Sequence, residues 1–277
     1  MKHKIPYQIY GQQGPLYVLI YGYGGNPKQW SAVVEELSKE NRVVVPQLNS
    51  IYMSKDPLFF TVQVELILKF IEENFADEMV NLVGVSYGGL LSWALSLQNP
   101  MLFTKVFLIN PMLPSPLDHV KISELRFILR IPFNFQALSL LLATPMGKKF
   151  LSKTAMILGN ESEDRVERIQ NLSGRKLFFL TRLIHHFSWL IKNEDWRWWE
   201  KKSIGMQEKK CTTNLIISQD DPLFSVNSYE NFHSLHQFSN FHVIPAGGHL
   251  LPISQPEKVC ALVADSASRV NEKITAA

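Results

Sequence analysis

Cysteine is scarce: the 277-residue chain holds two, Cys211 and Cys260, far apart and without a C-x-x-C spacing. That excludes a disulfide framework and a thiolate metal site, and predicts free thiols in or near a core. Charge of one sign is equally short. A formal net charge of +3, with no Lys/Arg run and no RNP-like aromatic pattern beside it, leaves no electrostatic footprint for nucleic acid. No uninterrupted apolar stretch approaches the ~18 residues of a membrane span, and the N-terminus MKHKIPYQIY carries basic residues without an apolar signal-peptide core. The expectation is a cytoplasmic protein without stable membrane insertion. Repeats and low-complexity tracts are missing as well. What remains, 46% hydrophobic against 19% charged residues, describes an ordinary globular chain with one large domain, or one domain with an insertion.

Within that chain, short apolar segments alternate with helical ones. Leu16 to Tyr21, Arg42 to Pro46, Met79 to Val85, Lys105 to Asn110, Asn214 to Ile217 and Phe241 to Ile244 read as buried strands. Between them, apolar residues recur at helical spacing. Lys28 to Glu40 does so behind Pro27, and Val62 to Phe75 and Tyr87 to Leu97 do likewise. Continuous apolar strands in strand–helix alternation predict an α/β fold, a mostly parallel central sheet with helices on both faces. Between Pro111 and about Lys210 the alternation stops. Helices are predicted there at Ile122 to Leu129, Gln136 to Leu142, Gly147 to Leu158, Glu163 to Gln170 and Arg175 to Ile191. The division is therefore a discontinuous core, 1–111 and 211–277, with a helical lid inserted at 112–210. The lid is basic, with 17 Lys+Arg against 10 Asp+Glu, so the remainder is net acidic.

In such sheets reactive groups gather beyond the carboxyl ends of the strands. Ser86 follows one strand in Gly84-Val-Ser-Tyr-Gly88, Asp220 and Asp221 follow another in Ser218-Gln-Asp-Asp-Pro222, and His249 follows a third in Ala246-Gly-Gly-His249. A serine nucleophile needs a base within hydrogen-bond reach, and the base needs a group to fix its tautomer. The chain order Ser, Asp, His, with G-x-S-x-G at a strand–helix junction, resembles the α/β-hydrolase superfamily. The resemblance covers both flanks outside the lid. Tyr21-Gly-Tyr-Gly-Gly25 resembles the family's His-Gly-x-Gly turn, and Gly248-His249 with Pro256-Glu257 resembles its Gly-His followed by a Pro-Glu helix start. Matching the Gly-x-x-Asp acid turn selects Asp221, with Asp220 as the minor alternative. The departures are Tyr21 where the family often has His, Gln47-Leu-Asn-Ser50 where many have an Asp and a Gly-x-Gly turn, and Ser218 for Gly.

The resemblance implies a serine hydrolase with Ser86, His249 and Asp221 as the triad and the backbone N–H groups of Tyr23 and Tyr87 as the oxyanion hole. It calls for no metal and no cofactor. Seven other histidines, His3, His119, His185, His186, His233, His236 and His242, are read as surface or packed groups. Eleven Phe and Trp between Phe127 and Trp199 make the lid aromatic, favouring a carboxylic ester with an apolar or acyl-chain portion. Tyr21 and Trp189 are expected to touch substrate. The lid cations, among them Arg126, Arg130, Lys148, Lys149, Arg175, Lys176 and Arg182, raise a sharper possibility, docking of an acyl carrier protein. That would be similar to the esterases that demethylate pimeloyl-acyl carrier protein in biotin synthesis. A carbon–carbon bond hydrolase, a thioesterase and a non-catalytic receptor on the same fold stay open as alternatives.

Overall fold

The computed structural model describes residues 4–130, 134–159, 174–205 and 211–264. Seven strands, β1 (Tyr7–Tyr10), β2 (Leu16–Ile20), β3 (Arg42–Pro46), β4 (Val80–Val85), β5 (Phe103–Ile109), β6 (Thr212–Ser218) and β7 (Asn240–Ile244), form one sheet in the order β1-β3-β2-β4-β5-β6-β7. All neighbours are parallel except β1 and β3. The sequence does not signal β1. Its residues are all exposed and it lies at an edge, so no buried apolar run marks it; Tyr7 packs edge-on against Phe70 and Phe75 instead.

Helices α1 (Ser31–Leu37), α2 (Asn49–Tyr52), α3 (Phe60–Phe75) and α4 (Tyr87–Gln98) fill the first crossovers. On α3 the buried positions Phe60, Gln63, Val64, Ile67, Phe70, Ile71 and Phe75 form one stripe, as the helical period requires. Helix α4 is buried from Tyr87 through Leu97, so its sequence is apolar or small on every side. Between β5 and β6 lie six helices among the described residues: α5 (Pro116–His119), α6 (Ser123–Arg130), α7 (Phe135–Ala143), α8 (Pro145–Gly159), α9 (Gly174–Asn193) and α10 (Trp196–Gly205). The predicted helix Glu163 to Gln170 lies outside the described residues. After β6 come α11 (Val226–His236) and α12 (Leu251–Ser254), and residues 256–264 are helical.

Two cores result. The larger surrounds the sheet, and a small one formed by Leu138, Leu142 and Leu151 holds α7, α8 and α9 together. Polar ties fasten the insert to the sheet domain. The Glu194 carboxylate accepts from the Phe60 N–H and the Thr61 hydroxyl, both at 2.8 Å, and from the Trp199 indole N–H at 3.0 Å. It thus caps the first open amide of α3, that of Phe60, with a negative charge. Arg182 donates to the backbone carbonyls of Ser54 and Lys55. Both cysteines are buried, and no disulfide joins them. Among the described residues no helix is long and apolar enough to cross a membrane.

Sheet register sets up the site. Ile20 pairs with Gly84, Val85 with Ile109, Ile109 with Ile216, and Ser218 with Ile244. Strands β2, β4, β5, β6 and β7 therefore end on one edge, and the loops after them converge.

Candidate active site

Ser86 sits between β4 and α4 with φ 57° and ψ −123°, a region sparsely populated for a residue with a side chain. The surroundings hold it there. Its N–H donates to Ile109 C=O at 3.0 Å, and its carbonyl accepts from Met112, Gly89 and Leu90 N–H groups. The two glycines of the motif have steric causes. A Cβ at Gly84 would lie 2.2 Å from the Gly88 carbonyl oxygen, and one at Gly88 would lie 2.2 Å from that of Ile20. Side chains at either position would push the elbow off the sheet.

The three side chains expected to work together form one hydrogen-bonded row. His249 Nε2 lies 2.8 Å from Ser86 Oγ, and His249 Nδ1 lies 2.9 Å from Asp221 Oδ2. Burial would raise the Asp221 carboxyl, but the His249 ring, the Leu223 N–H and the Tyr229 O–H together hold it below the usual carboxylate value. An ionised carboxylate only accepts, so the ring proton sits on Nδ1 and Nε2 is left to accept from the serine hydroxyl. Asp221 is fully buried and His249 is 4% exposed, which keeps water from competing for these bonds.

Asp220, the minor alternative, has a different place. Its carboxylate accepts from the N–H groups of Gly247, at 3.0 Å, and Gly248, at 2.8 Å. It also accepts from the Ser218 hydroxyl, which gives the Gly-to-Ser departure a purpose. Asp220 thus clasps the loop that carries His249. Asn110 completes that clasp: its Nδ2 donates to the carbonyls of Gly248 and His249, both at 2.9 Å, and its Oδ1 accepts from Ser218 N–H at 2.7 Å. The sequence pattern placed Asn110 at the end of a buried strand and gave it no role. The signal it missed was a buried-type strand ending on an amide side chain, which can serve a donor and an acceptor at once. Tyr229, whose hydroxyl donates to Asp221 Oδ2 at 2.8 Å, was missed as well, since nothing local marks it.

The Tyr21–Gly25 turn runs beside the serine. A Cβ on Gly22 would lie 3.2 Å from Ser86 Cβ, and Gly25 N–H closes the turn on Gly22 C=O at 3.0 Å. Tyr23 N–H takes no part in that closure. Tyr87 opens α4, so its N–H has no carbonyl one helical turn back and lies at the positive end of the helix.

Over this edge lies a cavity of about 380 Å³. Gly22, Tyr23, Ser86, Tyr87 and His249 form one side, and the insert contributes Leu125, Leu129, Phe150, Leu151, Leu180, Leu183, Ile184 and Phe187. Among the described residues that line it, His249, the buried Tyr87 and the partly buried Tyr23 are the ionisable ones. Tyr21 and Trp189, expected to touch substrate, do not line it. Tyr21 is fully buried and its phenol oxygen accepts from Leu48 N–H at 2.5 Å, because the ring points under the turn; Trp189 instead packs edge-on against Phe59. None of the other described histidines lines the cavity, and His3 lies outside the described residues. His186 is buried and pushed down to about 4, first by burial and then by Arg182 and His185. Among the described residues no group of His, Cys, Asp and Glu is placed to hold a metal ion.

A family model described as alpha/beta hydrolase fold matches residues 15–256. The chain belongs to the α/β-hydrolase family. No curated protein sequence matches it significantly. Solved structures with a similar fold superpose over nearly the full length. An esterase from Thermogutta terrifontis is 18% identical with a TM-score of 0.70, covering 96% of this chain and 93% of its own. An alpha/beta hydrolase fold protein from Burkholderia ambifaria is 16% identical at 0.72, covering 94% and 93%. The enol-lactonase from Burkholderia xenovorans is 17% identical at 0.68, covering 95% and 96%. Identities this low show the α/β-hydrolase architecture and nothing of the substrate. In this α/β-hydrolase one basic residue of the insert, Arg182, is spent on the Ser54 and Lys55 carbonyls, while Arg130, Lys149, Arg175 and Lys176 are exposed.

Proposed function

We propose that this α/β-hydrolase is a serine esterase for neutral carboxylic esters with an apolar acyl chain. The observation that carries the reading is the unbroken row Ser86–His249–Asp221 opening on a cavity walled by aliphatic and aromatic side chains. Ser86 Oγ attacks the ester carbonyl as His249 Nε2 takes its proton, and Asp221 stabilises the imidazolium. Negative charge on the carbonyl oxygen is met by the Tyr23 and Tyr87 N–H groups and the N-terminus of α4. His249 then gives its proton to the departing alcohol, leaving an acyl-serine. Water, deprotonated by His249, attacks the acyl carbon and releases the acid. The apolar wall supports an acyl chain over a sugar or a charged metabolite, since no ionic group of the cavity would replace lost hydration.

The test is labelling by a fluorophosphonate probe, followed by turnover of p-nitrophenyl esters of increasing acyl length. Ser86→Ala is expected to keep the circular dichroism spectrum and lose both labelling and turnover. Each added methylene is expected to raise kcat/KM about fourfold, from ~0.8 kcal/mol per buried CH₂, until the cavity is full. Labelling without turnover at any chain length would move the reading to another acyl-transfer chemistry. Full activity in Ser86→Ala would end it.

A further inference from the structure

The side chain that connects the two proposed oxyanion donors is absent from the cavity wall. Tyr52 ends α2 and is 2% exposed. Its hydroxyl donates to the Tyr21 carbonyl at 3.0 Å, and its own carbonyl accepts from the Tyr23 hydroxyl at 3.2 Å. Its ring lies 5.0 Å from that of Tyr23 and 5.6 Å from that of Tyr87, centroid to centroid. One buried residue thus touches both residues whose backbone N–H groups are proposed to form the oxyanion hole. The turn is held from two other directions. Tyr21 Oη accepts from Leu48 N–H at 2.5 Å, and Gln29 Oε1 accepts from Gly22 N–H at 3.3 Å.

We propose that Tyr52 is a positioning residue for the oxyanion turn, holding the Tyr23 N–H through the Tyr21 carbonyl and the Tyr23 side chain. The inference rests on the esterase reading above and adds a residue that touches no substrate. Its chemistry is suited to the task. Burial raises the Tyr52 phenol well above its ordinary value, so the hydroxyl stays protonated and remains a donor. A ring that merely filled space would need no hydroxyl, and Phe would replace it without kinetic effect. A strut needs the hydroxyl, because oxyanion stabilisation depends on where the donor sits when charge develops.

The experiment is Tyr52→Phe, assayed well below its unfolding temperature on a good p-nitrophenyl ester. Expected is about a tenfold fall in kcat with KM within twofold. Affinity for a trifluoromethyl ketone, which forms the tetrahedral adduct, should fall in the same proportion, and the pH profile of kcat should not move. That pattern belongs to an interaction made in the transition state. A loss of packing alone would lower the folded fraction and leave the kinetics of the surviving molecules unchanged. If Tyr52→Phe does not fold, Tyr23→Phe decides: it keeps the backbone amide, removes the return bond to Tyr52 C=O, and is expected to lower kcat about threefold. A kcat within twofold of the unmodified protein in the variant that decides overturns the proposal. Absence of fluorophosphonate labelling in the unmodified protein removes the esterase reading and this one together. Labelling with an unchanged Tyr52→Phe rate removes this one alone.

Discussion

Replacing Asn110 by alanine is the perturbation from which the structure predicts most. Three groups would lose their partner: Ser218 N–H, Gly248 C=O and His249 C=O. Asn110 is fully buried, so each lost partner costs about 1–3 kcal/mol of desolvation that is no longer compensated. The backbone there has φ 36°, which asparagine tolerates better than alanine by roughly 1 kcal/mol. Partial relaxation brings the sum to about 4 kcal/mol. At about 2–4 °C per kcal/mol for a chain of this size, the midpoint of thermal unfolding should fall by roughly 10 °C. Asn110→Asp keeps the shape but turns an acceptor toward two carbonyls, and should be no better. The site should respond as well, because the loop that aims His249 loses one of its two clasps. The assay is calorimetry paired with the rate of fluorophosphonate labelling at 20 °C, where the variant is still folded. Labelling is expected to slow at least fivefold. A midpoint shift under ~2 °C with an unchanged labelling rate would refute the argument that Asn110 holds the histidine loop.

Asp221 carries a pH dependence. Its folded pKa lies below the usual carboxylate value, so its contribution to stability is complete above about pH 4 and is lost as pH falls through the folded pKa. Asp221→Asn lacks that contribution. Its stability deficit should be constant from about pH 5 to 7 and narrow below about pH 4, as read by urea unfolding across that range; a deficit that grows in acid would reverse the sign. Glu194→Ala should cost about 3 kcal/mol in the same measurement, since three hydrogen bonds to a charged, part-buried acceptor disappear. Glu194→Gln, which retains an acceptor for one or two of them, should lose less than half as much, and equal losses would show that the charge is what matters.

Much of the architecture was legible because it is written in local patterns. Six strands announce themselves as apolar runs, and the parallel sheet follows from their alternation with helices. Strand β1 escaped because an exposed edge needs no apolar face. Helix α10 escaped because Trp196-Arg-Trp-Trp199 looks like aromatic filling until Glu194 and Lys202 are seen tying it to α3 and α4. In the site, Ser86 and His249 stood out through the glycines beside them, since tight turns demand small residues at fixed offsets. Tyr21 was assigned to substrate by its position in the turn; the structure turns its ring inward, because the phenol meets a free backbone N–H at Leu48.

The sequence by itself determined six of the strands, the turns after them, and the order in which Ser86, Asp221 and His249 leave the sheet. Those depend on neighbours a few residues apart. Tertiary structure decided what depends on residues more than twenty-five apart. Asp220 and Asp221 are adjacent and chemically alike, yet one clasps the Gly247–Gly248 backbone while the other meets the His249 ring. The register of the acid turn favours Asp221, but only the twist of that turn shows where each carboxylate goes. Asn110 reaches a loop 138 positions away, and Tyr52 meets a turn 31 positions back. Such partners share no local pattern, because only the closing of the sheet brings them within hydrogen-bond distance.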